Sequence, residues 1–71
     1  GPVRPEFKPT GFIIGKNNIY LSTDHGRLFI INTTTGTTET VIKLHNSKIS
    51  RPSVINKNLY VIAENTIIKL D

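Results

Sequence analysis

The sequence predicts an all-β chain of antiparallel strands, laid out as one four-stranded unit followed by three strands of a second. Two observations lead there. Residues 15–21 (Gly-Lys-Asn-Asn-Ile-Tyr-Leu) return in character at 55–61 (Ile-Asn-Lys-Asn-Leu-Tyr-Val), so that Tyr20 and Tyr60 stand 40 residues apart, and residues 24–32 answer to 64–71. Self-similarity at about 40 residues with short strands inside each copy marks a repeated β unit. The second observation is composition: Ile is abundant, Thr, Val and Tyr add to it, and the only alanine is Ala63. β-Branched and aromatic side chains suit a pleated, half-buried surface, whereas the best helix formers are scarce.

The elements follow in order from alternation and turn chemistry. Residues 11–15 (Gly-Phe-Ile-Ile-Gly) are apolar through the middle, as expected of a strand covered on both faces. Lys16-Asn17 turns the chain, the asparagine tolerating left-handed backbone geometry. Residues 18–23 alternate, with Ile19 and Leu21 on one face and Tyr20 and Ser22 on the other. Asp24-His25-Gly26 closes a hairpin in which Gly26 suits the positive φ of a bulged three-residue turn. Residues 27–32 form the third strand, Thr33-Thr34-Thr35-Gly36 the next turn, and residues 38–44 the fourth strand.

After a polar bridge at 45–50 the pattern starts again. Residues 52–55, 58–63 and 66–70 repeat strands one to three, with the second hairpin one residue shorter and no glycine to answer Gly26. The expected organisation is thus a first repeat at 8–44, a linker at 45–50 and a second, incomplete repeat at 51–71. Residues 1–7, with two prolines and no alternation, read as the remnant of a cleaved tag and cloning site.

Charge and length set limits on function. The net charge is +4 and the isoelectric point about 9.8, but Lys16, Arg27, Lys43, Lys48, Arg51, Lys57 and Lys69 are scattered rather than gathered into a basic stripe interleaved with aromatics. No nucleic-acid partner is expected. No apolar run approaches the roughly 20 residues of a membrane span, so no direct membrane insertion is expected either. There is no cysteine, which excludes disulfides, thiolate metal sites and cysteine nucleophiles.

A 40-residue period of short strands is the spacing of β-propeller blades, and a propeller needs at least about four of them, more than 71 residues supply. The chain is expected to hold about one and three-quarter four-stranded blades, with the last blade completed by a strand from the N-terminus of the propeller. Ile19-Tyr20-Leu21-Ser22-Thr23-Asp24-His25-Gly26-Arg27-Leu28-Phe29-Ile30-Ile31-Asn32, followed by Thr35-Gly36, resembles the pyrroloquinoline-quinone-like (PQQ-like) propeller repeat. In that alignment Asn32 takes the family's usual Asp position and Gly36 its usual Gly; Thr37 replaces a common Lys, and Thr40 stands where the family's docking tryptophan packs between blades.

The PQQ-like repeat is shared by quinoprotein dehydrogenases and by non-catalytic scaffolds, among them the BamB-type outer-membrane assembly lipoproteins. The dehydrogenases carry a catalytic Asp, a calcium site and docking tryptophans. Here Asp24 and Asp71 are each alone and tryptophan is absent. The resemblance therefore implies a non-enzymatic scaffold, periplasmic and associated with the outer membrane, that supports β-barrel protein assembly and needs no cofactor. Its partners are a protein or the remaining blades, or further copies of the chain joined through open strand edges. Two other readings stay open: a fragment of a quinoprotein-type enzyme, and a small self-associating β-sheet binding module. The abundance of Ile, Asn and Lys is what an AT-rich, bacterial coding sequence supplies.

The chemical candidates are few. Asp24-His25 could be an acid-base or metal pair, but neighbours at a hairpin tip are expected to point apart and to serve the turn. His45 has no carboxylate near it in sequence and reads as a solvated loop residue. Lys43, His45, Lys48 and Arg51 form the densest basic stretch and read as a solvated linker. Tyr20 and Tyr60, at equivalent positions, are expected to pack between sheets. Asn32-Thr33-Thr34 fits the glycosylation acceptor pattern, which a run of threonines meets cheaply. No catalytic, cofactor-binding or metal-binding residue is assigned.

Overall fold

The structure, a computed structural model, describes residues 7–70; residues 1–6 of the expected tag remnant, and Asp71, lie outside the described residues. Seven strands are present: β1 (Pro9–Ile14), β2 (Asn18–Thr23), β3 (Arg27–Asn32), β4 (Thr38–Lys43), β5 (Ser53–Ile55), β6 (Asn58–Ala63) and β7 (Thr66–Leu70). They make two antiparallel sheets, the first ordered β1-β2-β3-β4 and the second β5-β6-β7. Among the described residues the fold is all-β, with no helix.

Four strand ends differ from the sequence expectation; one is the end of β1, at Ile14 rather than residue 15, where the Gly15 N–H donates to the Asn18 carbonyl of the turn at 2.7 Å. β1 begins at Pro9 rather than at residue 11, pairing Pro9 with Thr23 ahead of a bulge. Proline is tolerated there because the first residue of an edge strand owes no N–H to the ladder. The approach is fixed by Asp24, whose N–H donates to the Lys8 carbonyl at 2.9 Å while its carboxylate accepts from the Lys8 N–H at 2.8 Å. β4 ends at Lys43 because the Leu44 N–H leaves the sheet to donate to the Gly26 carbonyl at 2.8 Å. β5 starts at Ser53, after Pro52, which has no N–H to give.

Turn geometry agrees with expectation at Gly26, which sits at φ 74°. It departs at Asn17, which is absent from the positive-φ residues; in the second repeat Asn56 and Lys57, the counterparts of Lys16 and Asn17, are the ones in the left-handed region, at φ 50° and 67°. Ile55 pairs with Asn58 across those two residues, so both central positions of a two-residue hairpin have positive φ, the signature of a type I′ turn. At the next hairpin Ala63 pairs with Thr66 and Glu64 takes φ 53°. The threonine turn is held by Asn32, whose side-chain oxygen accepts from the Thr34 and Thr35 N–H groups at 2.8 and 3.0 Å.

Directly paired residues share a face of their sheet, so the registers sort the side chains. Tyr20 lies opposite Ile30, and Ser22 opposite Leu28, which in turn pairs with Ile42. This face of the first sheet looks onto Val54, Leu59 and Leu70 of the second across a cleft of about 300 Å³. At the hairpin end the cleft gives way to a packed core. Leu28, Ile49, Val61 and Ala63 are fully buried there, with Leu44, Ile68 and Leu70 packed around the last three. Ile49 comes from the linker, so the connection that reads as a polar bridge supplies the residue that plugs the two sheets together.

That linker is stitched down by backbone bonds. Gly26 O accepts from both the Leu44 and His45 N–H groups, and Thr23 O accepts from the Ile49 N–H at 3.3 Å. Ser50 exchanges two bonds with Ile62: its N–H donates to the Ile62 carbonyl at 2.9 Å and its hydroxyl accepts from the Ile62 N–H at 2.8 Å. Thr10 adds a hydroxyl bond to the Ile49 carbonyl at 2.8 Å.

Candidate functional site

Each sheet is apolar on both faces, and only one face of each is covered. In the first sheet the face away from the cleft carries Phe12, Ile14, Ile19, Leu21, Phe29 and Val41, aligned by the pairs Phe12–Leu21, Leu21–Phe29 and Phe29–Val41. Phe12 is 51% and Ile14 68% exposed. This corrects the expectation that the first strand is covered on both sides: its run of apolar residues is real, but one side of it meets no sheet. Phe7, set apart from the fold by sequence reasoning, lies against this face with its ring stacked on Phe29 at 5.1 Å.

The second sheet repeats the arrangement on its far side. Ile55, Tyr60, Ile62 and Ile67 share that face, with Ile62 opposite Ile67 and Ile67 70% exposed. Lys69, opposite Tyr60, is its one charged residue within the strand pairs. Exposed apolar side chains gathered on a single face mark a surface that meets another body, because scattered ones are ordinary and contiguous ones are not.

The titratable candidates converge at the hairpin end. The Asp24 carboxylate and the His25 ring, expected to point apart, approach to 3.3 Å. His45 has a carboxylate after all, the Glu64 side chain at 3.5 Å, brought in by the second hairpin. Sequence distance hid this pair, since Glu64 lies in the next repeat. The described residues bring together no set of three or more His, Asp or Glu side chains able to hold a metal ion.

The remaining candidates are distributed as follows. Arg27 donates through its guanidinium to the His25 carbonyl at 2.7 Å and so braces its own hairpin. Arg51 lies along β1, its stem against Gly11, where an added Cβ would come within 2.6 Å of Arg51 Cβ. Lys43 and Lys48 are exposed. Tyr20 lines the cleft between the sheets, whereas Tyr60 is on the outward face of the second sheet. Asn32 is occupied by its turn and by an amide donation to the Glu39 carboxylate at 2.8 Å. Ser22 Oγ is buried with no hydrogen-bond partner among the described residues.

No protein-family model, no curated protein and no solved structure matches the chain.

Proposed function

We propose that the chain is a non-catalytic protein-interaction scaffold made of about one and three-quarter blades of a PQQ-like propeller. The observation that carries this reading is the pair of repeat-related antiparallel meanders, four strands and three, each apolar on the face turned away from the other. Blades of a propeller are sheets of this kind, covered on both faces by their neighbours. The likeness of residues 19–36 to the PQQ-like repeat supports the choice of family, and the BamB-type members of that family supply the biological setting: a periplasmic scaffold for the assembly of outer-membrane β-barrel proteins. Within this reading β7 is the third strand of a blade and its free edge accepts a fourth.

The test is to extend the chain after Asp71 with a second copy of residues 33–43, the turn and fourth strand of the first sheet. Completion of the blade slows amide hydrogen exchange along Thr66–Leu70 and raises the melting temperature. Unchanged exchange along β7 would overturn the blade assignment. The non-catalytic part is tested separately by titrating the chain with pyrroloquinoline quinone and calcium ion: no saturable heat is expected, and stoichiometric binding would move the assignment to a quinoprotein.

A further inference from the structure

We infer that the two open faces are the complementary halves of one heterologous interface, and that a second copy of this chain is the occupant of each. The registers of the two sheets carry this inference independently of the propeller reading. Within the chain, the face of sheet two bearing Leu59, Val61, Ile68 and Leu70 is turned toward the face of sheet one bearing Tyr20, Leu28 and Ile30, across the cleft and beside the buried Ile49. The repeat converts this interface into a rule. Ile19 and Leu21 correspond to Leu59 and Val61, and their partners across the ladder, Ile31 and Phe29, correspond to Leu70 and Ile68. The open face of sheet one is therefore a second edition of the covered face of sheet two.

The converse also holds. Tyr60, Ile62 and Ile67, on the open face of sheet two, correspond to Tyr20, Ser22 and Leu28, on the covered face of sheet one. The surfaces left open are thus the same two kinds of surface that already face each other within the chain, and repeating that arrangement between copies joins sheet one of one copy to sheet two of the next. Such a contact is head to tail, and it closes if the rotation per copy permits.

Charged residues mark the hairpin end of each sheet, and Lys69 stands on the open face of sheet two. Arg27 and Lys43, a paired couple, lie at the hairpin end of the open face of sheet one. Glu64 lies at the hairpin end of sheet two, and both hairpin ends point the same way because His45 touches each, through the Gly26 carbonyl and the Glu64 carboxylate. Each copy brings two sheets, and propeller-like rings hold about four to eight, so closure is expected at about two to four copies.

The experiment uses the whole chain and two charge insertions, Ile14→Lys on the open face of sheet one and Ile67→Lys on that of sheet two. Both sites are more than half exposed, so each variant keeps its β-sheet circular dichroism; if either does not, Ile14→Thr and Ile67→Thr replace them. Light scattering behind size-exclusion chromatography is expected to give a discrete oligomer for the parent chain and monomers for both variants, association weakening on the order of 100-fold or more as a lysine is buried unpaired. Mixing the variants is the decisive step. Each retains one intact half, so a one-to-one heterodimer is expected and nothing larger.

A monomeric parent chain would overturn the inference. So would an Ile67→Lys variant that still assembles, which means that sheet-one faces pair with each other, or assembly untouched by both substitutions, which means pairing through strand edges. None of these outcomes alters the fourth-strand test, so failure here leaves the blade assignment to stand or fall by itself.

Discussion

Substituting Gly26 and Gly36 by alanine separates a backbone cost from a packing cost. The two glycines have almost the same backbone, φ 74° and 75°, and differ in surroundings: nothing lies within 4 Å of a Cβ at Gly36, whereas at Gly26 it would lie near the His45 carbonyl and 2.7 Å from the Ser47 carbonyl oxygen. The left-handed conformation costs an L-residue about 1–2 kcal/mol, and the loss of glycine's freedom in the unfolded chain returns about 0.4–1 kcal/mol. Gly36→Ala should therefore destabilise by about 1 kcal/mol.

Gly26→Ala must also push the linker away, because the obstacles are main chain and cannot rotate aside. The linker is tied to that residue by the Leu44 and His45 N–H groups, both donating to Gly26 O. Two hydrogen bonds at about 0.5–1.5 kcal/mol each, together with looser packing around Ile49, bring the total to about 3–5 kcal/mol. A chain of 71 residues has roughly 4–10 kcal/mol in all. Thermal melts by circular dichroism at fixed protomer concentration should show Gly36→Ala lower by about 5 °C, and Gly26→Ala lower by about 15 °C or unfolded at room temperature. Equal shifts for the two variants would refute the claim that the linker is seated on the hairpin.

Three further outcomes are expected from the same melts. Lys57→Gly relieves a non-glycine residue at φ 67° in a type I′ turn and should stabilise by about 1 kcal/mol, seen as a rise of several degrees. Thr23→Val removes the hydroxyl that accepts from the His25 and Arg27 N–H groups at 3.3 and 3.1 Å and should cost about 1–3 kcal/mol, while Ser22→Ala, one residue away, removes a buried hydroxyl without a partner among the described residues and should be neutral or stabilising. Asn32→Asp loses the amide donation to Glu39 and sets two carboxylates together; a loss of about 1 kcal/mol is expected, recovered in the Asn32→Asp, Glu39→Gln double variant, and equal stability of the single and double variants would remove Glu39 from the account.

The strands were legible because each declares itself locally. Residues 18–23 alternate, 58–63 repeat them at an offset of 40, and Gly26, Gly36 and Asn56 occupy positive-φ positions for which their residue types are suited. What escaped is what depends on distant chain. Nothing near Lys8 announces that Asp24 will clasp it, and nothing near His45 announces Glu64. Ile49 sits among polar neighbours and reads as an incidental loop residue, yet it is fully buried. The apolar run at Phe12–Ile13–Ile14 was legible as chemistry and not as burial, since the same residues suit a covered strand and a face awaiting cover. Lys57 at positive φ is the opposite case: local preference is overridden because the two-residue hairpin between β5 and β6 demands that geometry.

In both sheets every strand is hydrogen-bonded to its neighbour in the chain. No pairing therefore waits for a long excursion of the backbone, and each meander can zip from its own turns at the pace of hairpin formation, a microsecond-scale event. Joining the two sheets involves the linker, whose Ile49 is fully buried. Growth by whole meanders is accordingly a topologically open operation: another unit can be added at either end of the chain, or one removed, without rethreading any strand between two others.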